Sequence, residues 1–269
     1  MDIGKFMAIE GEQPLDNIVC DGGLVGIFRN IVCIGDSLSS GEFESEMNGK
    51  RGFHDCFEYS WGQYLARDAG CTVRNFSKGG MTAKKYCESF ADEMGFWDES
   101  LKAQAYIVAL GVNDVSRILE GVHEFGSIAD VHPEDYTKNA PTFAGYYGQI
   151  ISRYKAMAPK AKFFLMSAPS HHKTDERGIL YDKHAELLYE IAKLFEGCYV
   201  LDLRKYAPDY SNPDYKCRFY LGGHLSAAGY LFTAKLVESY IDYIIRHNPE
   251  DFVQVSFINT DFYNETAKW

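Results

Sequence analysis

Four short stretches of this 269-residue chain hold side chains able to make and break bonds. Residues 31–38, Ile-Val-Cys-Ile-Gly-Asp-Ser-Leu, form an apolar run that breaks at Gly35 and presents Ser37. A serine so placed is a nucleophile if a base removes its proton and donors stabilise the oxyanion that its attack creates. The same serine serves equally as a turn or helix-capping residue. Residues 75–82 (Asn-Phe-Ser-Lys-Gly-Gly-Met-Thr) and 110–114 (Leu-Gly-Val-Asn-Asp) put glycine where an apolar run ends, so the backbone can approach a ligand and aim an N–H at it. Asn113 adds a side-chain amide donor. The purely structural alternatives are a tight turn at Gly79-Gly80 and an Asx-turn at Asn113. His224 stands in Tyr-Leu-Gly-Gly-His-Leu-Ser (220–226), a glycine-flanked turn before a helical run, which suits a general base.

These residues need a frame to hold them together. Apolar strand-like runs at 30–34, 71–75, 105–110, 162–167 and 198–201 alternate with longer segments of i, i+3/i+4 apolar spacing. The clearest helix spans 226–247, with Ala227, Leu231, Ala234, Val237, Ile241 and Ile244 on one face; Leu180, Leu187, Leu188, Ile191 and Leu194 mark a second, and Tyr147, Ile150, Tyr154 and Met157 a third. This rhythm predicts a parallel sheet covered on both faces. The expected fold is α/β, a flavodoxin-like three-layer α/β/α sandwich with a five-stranded parallel sheet in the order 2-1-3-4-5. In that order Ser37 is flanked by Gly80 and Asn113 at one sheet edge, and His224 arrives with the last helix. Two connections, 38–59 and 119–140, exceed the ~2–6 residues usual for a βα loop. Both leave the carboxyl ends of strands, where open α/β sheets bind ligands.

This ordered set resembles the SGNH/GDSL hydrolase superfamily, a likeness that covers roughly residues 30 to 246. Gly35-Asp36-Ser37-Leu38 is similar to its first block, which carries the nucleophile. Residues 75–82 resemble the second, with Gly80 rather than Gly79 at the oxyanion glycine. Gly111-Val112-Asn113-Asp114 resembles the third, whose Asn completes the oxyanion hole, and His224 with Ala228-Gly229-Tyr230 resembles the last. The family usually places an Asp three residues before the histidine; here that residue is Leu221. A backbone carbonyl in the 220–223 turn, or Asp214 as a third catalytic member, is expected to orient the imidazole instead. The resemblance implies a serine ester hydrolase that cleaves a small acyl ester, O-acetylated carbohydrates among the candidates, through an acyl-enzyme on Ser37. An acyltransferase using the same site and a non-catalytic flavodoxin-like binding domain are the alternatives. The latter lacks support from any G-x-x-x-x-G-K-[ST] loop or G-x-G-x-x-G after a strand.

Composition narrows the partners. With 27 basic and 38 acidic residues the net charge is −11, which argues against a broad nucleic-acid surface and against polyanionic substrates. No apolar run approaches the ~18 residues of a membrane span. The first residues lack a basic region followed by an apolar one, so no signal peptide is expected. The seven cysteines contain no C-x-x-C pair and read as buried free thiols of a cytoplasmic protein, with no metal and no cofactor. The expected partner is a small-molecule ester. The chain reads as a hydrolase domain over 29–248, with an N-terminal appendage (1–28) and a C-terminal extension (249–269) packed on it. Among the remaining polar residues, His171-His172 are candidates to line the pocket and His184 reads as a satisfied core histidine. Asp36 and Asp114 read as loop braces, and residues 88–99 as a solvated acidic face. Phe53, His54, Tyr59 and Trp61 are candidates for an acyl or sugar pocket.

Overall fold

The computed structural model describes residues 3–267. Its central sheet is built from β1 (Asn30–Gly35), β4 (Thr72–Ser77), β5 (Ala105–Ala109), β6 (Lys162–Met166) and β7 (Cys198–Leu201), in the order β4-β1-β5-β6-β7. Every pairing in it is parallel. Numbered along the sheet strands alone, this is the expected 2-1-3-4-5. β5 is buried at every position and β1 at all but its first, because helices cover both faces and leave no polar side to alternate with. A second, separate pair, β2 (Glu42–Met47) and β3 (Lys50–Asp55), forms an antiparallel hairpin. β8 (Tyr220–Leu221) and β9 (His224–Leu225) form a minimal one.

The helices are α1 (Ser37–Ser40), α2 (Trp61–Ala69), α3 (Ala83–Lys85), α4 (Ala91–Glu93), α5 (Val112–Leu119), α6 (Phe143–Met157), α7 (Glu176–Leu194), α8 (Leu203–Tyr206), α9 (Pro213–Phe219) and α10 (Ala227–His247). α2 packs on α10, whereas α3 packs on α6 and α5 on α7. Two such sets follow from right-handed crossovers that reverse direction between β1 and β5. Side-chain caps start the long helices: Thr142 accepts from Gly145 N–H, Asp175 from Gly178 N–H and Ser226 from Gly229 N–H. No helix among the described residues is long and apolar enough to cross a membrane.

Both ends of the chain lie against this core, apart from Met1, Asp2, Lys268 and Trp269, which fall outside the described residues. Val25 and Phe28 are fully buried, and Phe252, Val255 and Ile258 nearly so. The buried Arg246 guanidinium pairs with Glu12 at 2.6 Å and Asp242 at 2.8 Å. The cysteines are free, but Cys20 and Cys217 are exposed rather than buried. Residues 88–99 also differ from a solvated face. Phe90, Ala91 and Phe96 are buried there, and Phe96 stacks on Phe76 with ring centroids 3.8 Å apart.

Candidate active site

β1 ends at Gly35, where a Cβ would strike the Ser39 side chain and come within 3.2 Å of Ala109 O; only glycine leaves the turn room. Asp36 caps α1 by accepting from Leu38 N–H at 3.0 Å, which sets Ser37 half-buried on the first turn. The Tyr230 hydroxyl, from α10, sits 3.3 Å from the Ser37 carbonyl and 2.8 Å from that of Glu42, tying the serine turn to the hairpin that follows it. Gly80 adopts φ +69°, left-handed backbone at an exposed position after β4. Gly111, at φ +140°, has no room for a Cβ, which would lie 2.6 Å from the His184 ring. It launches α5 with Asn113 in the first turn. The Asn113 amide nitrogen donates to Met81 O at 3.1 Å and, at a longer 3.3 Å, to Asp36 Oδ2. The first bond fixes the amide, while the second hydrogen is held only weakly.

His224 lies in β9, half-buried, and two carboxylates grip its ring. Glu44 Oε1 is 2.8 Å from Nδ1 and Glu42 Oε1 is 3.0 Å from Nε2. Both acids come from β2, two residues apart, so a period of two puts them on the same face of the strand. Glu44 also accepts from Gly223 N–H at 2.9 Å and has Arg51 Nε at 3.6 Å. Burial pushes its carboxyl up, but the bonds from His224 and Gly223 outweigh this and hold it below the usual range. An ionised carboxylate only accepts, so Nδ1 carries a proton directed at Glu44. Burial raises the Glu42 carboxyl, against the lowering pull of His224. At 3.0 Å the Glu42 carboxylate occupies the approach to Nε2. The other oxygen of Glu42, Oε2, lies directly over Gly79. Phe53, from β3, stands edge-on to the imidazole with centroids 6.0 Å apart.

The Nδ1 partner is thus neither of those expected. Asp214 is exposed at the start of α9, its N–H on Asn212 Oδ1 at 2.8 Å. The 220–223 turn offers Gly223 N–H to Glu44 rather than a carbonyl to the ring, and Leu221 pairs with His224 across β8 and β9 while its side chain stays half exposed. Glu44 was hidden because 38–59 reads as a long loop. The signal was present in Asn48-Gly49, at φ 55° and 71°, the dipeptide of a two-residue hairpin turn.

Around the site, Asp36 and Asp114 are braces whose carboxyls burial pushes up to about 6 and about 7. Asp114 accepts from Ala83 N–H at 3.0 Å with Oδ1, and its buried Oδ2 has no hydrogen-bond partner among the described residues. His171 is engaged by Asp175 at 2.8 Å and its N–H by Asp209 at 2.9 Å. Burial pushes the His184 imidazole down to about 4, and the ring packs edge-on to Phe143. Trp61 is a core residue with no exposed surface, and His54 bonds Ser45 Oγ at 2.8 Å. Among the described residues no group of three or more His, Cys, Asp or Glu is arranged to hold a metal ion.

The sheet is doubly wound and parallel, with Ser37, Gly80 and Asn113 at its switch-point edge. The chain belongs to the GDSL-like lipase/acylhydrolase family, whose model matches residues 33–231. Solved structures share the fold at low identity. A family two carbohydrate esterase from Clostridium thermocellum, solved with cellohexaose, is 17% identical with a TM-score of 0.56, over 90% of this chain and 67% of that one. The acetyl xylan esterase AlAXEase is 18% identical with a TM-score of 0.54, over 79% of this chain and 99% of that one. A family 2 carbohydrate esterase with a carbohydrate-binding domain, from Corynascus thermopiles (Myceliophthora fergusii), is 16% identical with a TM-score of 0.55, over 79% of this chain and 65% of that one. No curated protein matches the chain.

Proposed function

We propose that the protein is a serine ester hydrolase that cleaves small acyl esters, O-acetylated carbohydrates in particular, through an acyl-enzyme on Ser37. The observation that carries this reading is the histidine anchored by Glu44 on a hairpin that begins five residues after the serine. When an ester enters, the Glu42 carboxylate gives up its place at Nε2, and His224 acts as the neutral ring with its Nδ1–H on Glu44. His224 Nε2 then takes the Ser37 hydroxyl proton as Oγ bonds to the ester carbon. The Ser37 and Gly80 N–H groups and the weakly held hydrogen of Asn113 stabilise the oxyanion. The carbon–alkoxide bond breaks, the alcohol leaves with the proton from Nε2, and a water repeats the sequence to release the carboxylic acid.

Glu44 acts in this scheme as a positioning residue, fixing the tautomer and stabilising the imidazolium. Carbohydrate as the alcohol is favoured by the acetyl xylan and cellohexaose-binding esterases that share the fold. The catalytic unit is taken as residues 29–248, with 1–28 and 249–269 packed on it, a division supported by the Arg246–Glu12 pair. Free thiols fit a reducing compartment such as the cytoplasm. Hydrolysis of p-nitrophenyl acetate and of acetylated sugars tests the assignment. Ser37→Ala is expected to abolish both and to stop labelling by a serine-directed fluorophosphonate; unchanged turnover in that variant refutes it.

A further inference from the structure

Against a net charge of −11, one concave surface is cationic. An open cleft of about 440 Å³ runs from Gly80 and Thr82 along Lys84, Lys85 and Ser89 to Arg117 and His123, with Glu88 as its one acid. A second lobe of about 300 Å³ shares Lys84 and His123, adds the apolar walls of Pro141, Phe143 and Tyr146, and carries two acids, Asp114 and Glu124, so the cationic excess lies in the first cleft. α3 brings the lysines and the last turn of α5 brings Arg117, so the cleft lies between the elements that carry Gly80 and Asn113.

The cations there are poorly neutralised. Among the described residues neither Lys84 nor Lys85 forms an ion pair, and Arg117 holds only Glu120, in an exposed pair at 2.7 Å. Such a pair contributes little and leaves the guanidinium free to turn. Glu88 is engaged by the Tyr146 hydroxyl at 2.5 Å. Burial and then the charges of Lys84 and Arg117 push the His123 imidazole down, so these groups share one positive field. Across Ser37 the field reverses, because Glu42, Glu44 and Asp55 line the hairpin side. A substrate with a negative end is repelled from the hairpin and drawn toward Lys84, which orients the ester over the serine.

We propose that this cleft seats an anionic group, a carboxylate or a phosphate, carried by the substrate whose ester carbonyl lies at Ser37. The inference rests on the ester-hydrolase reading for its chemistry but not for its binding. In the Ser37→Ala protein at low salt, glucuronate and glucose 6-phosphate are titrated by NMR against glucose, and the stronger of the two anions identifies which group is seated. At least tenfold tighter binding of an anion than of glucose is expected, lost in Lys84→Gln/Arg117→Gln, raised in Glu88→Gln and weakened by 0.3 M salt. Equal binding of anion and neutral sugar, or affinity unmoved by these substitutions, overturns the proposal. In the wild-type protein, the acetylated methyl glycoside that bears the anion selected by the titration (the glucuronoside or the glucoside 6-phosphate) is expected to exceed acetylated methyl glucoside in kcat/KM by at least tenfold. The double variant is expected to erase that ratio, and equal kcat/KM values overturn the proposal. Anion binding without turnover of any ester refutes the hydrolase reading and leaves the anion site standing.

Discussion

Removing Glu44 tests whether its carboxylate sustains the general base. The residue accepts two hydrogen bonds, from His224 Nδ1 at 2.8 Å and from Gly223 N–H at 2.9 Å, and in the proposed mechanism the first strengthens as the imidazole becomes positive in the transition state. A hydrogen bond to a charged partner is worth about 1.5–3 kcal/mol. At 1.36 kcal/mol per tenfold, Glu44→Ala is expected to lower kcat by about 10- to 150-fold with KM changed far less. Glu44→Gln keeps the shape but removes the charge. Its NH2 group can also donate to Nδ1 and hold the wrong tautomer, an error that costs about 10⁴-fold in serine protease triads, so glutamine should be at least as damaging as alanine. Steady-state kinetics on p-nitrophenyl acetate from pH 5 to 9, with circular dichroism confirming the fold, give the readout. Values of kcat within threefold of wild type for both variants would refute the assignment of Glu44 as orienter.

Three further substitutions bear on the site. Asn113→Ala should lower kcat by about 10²–10³-fold, the usual cost of one oxyanion donor; a loss below tenfold would remove the amide from the oxyanion hole. Glu42→Gln takes a negative charge from beside Nε2, which disfavours the protonated ring, so the acidic limb of the pH profile of kcat/KM should move to lower pH. An unmoved limb would show that Glu42 does not compete for that nitrogen. Asp114 titrates at about 7 in the folded chain against 3.8 ordinarily, because of burial. The folded state therefore holds a proton that the unfolded state has released, and stability is lost as pH rises from 4 through 7. Asp114→Asn should stabilise the protein at pH 8 by up to about 4 kcal/mol and have little effect at pH 4, measured by urea unfolding; parallel curves would contradict this.

The frame was legible in the chain because it rested on local signals, and the placement of the candidate site residues follows from that frame. Short apolar runs bounded by turns, such as Ala105–Ala109, fit a strand covered on both faces, and strand order then places Ser37, Gly80 and Asn113 at one edge. Glu44 was not legible from the same signals. Its strand alternates acidic residues with Phe43, Ser45 and Met47 and buries little, so apolar periodicity barely registers it. Its partner lies 180 residues away, and no local rule reaches that far. Trp61 failed for the opposite reason: proximity to the long loop suggested a pocket wall, whereas it opens α2 with its ring wholly inside the core.

The hairpin sets a boundary on how this catalytic site can change over descent. In the proposed mechanism the nucleophile, the acid at Nε2 and the orienting acid all fall between Ser37 and Glu44, while β3 is largely exposed and meets solvent along most of its length. A two-stranded ribbon of this kind has little stability of its own. One exchanged loop could therefore carry a complete acid into a relative that has none, or delete it here, with the sheet untouched. On the proposed mechanism the leucine at 221 is then free to vary, since the duty usually met beside the histidine falls to the segment that follows the serine.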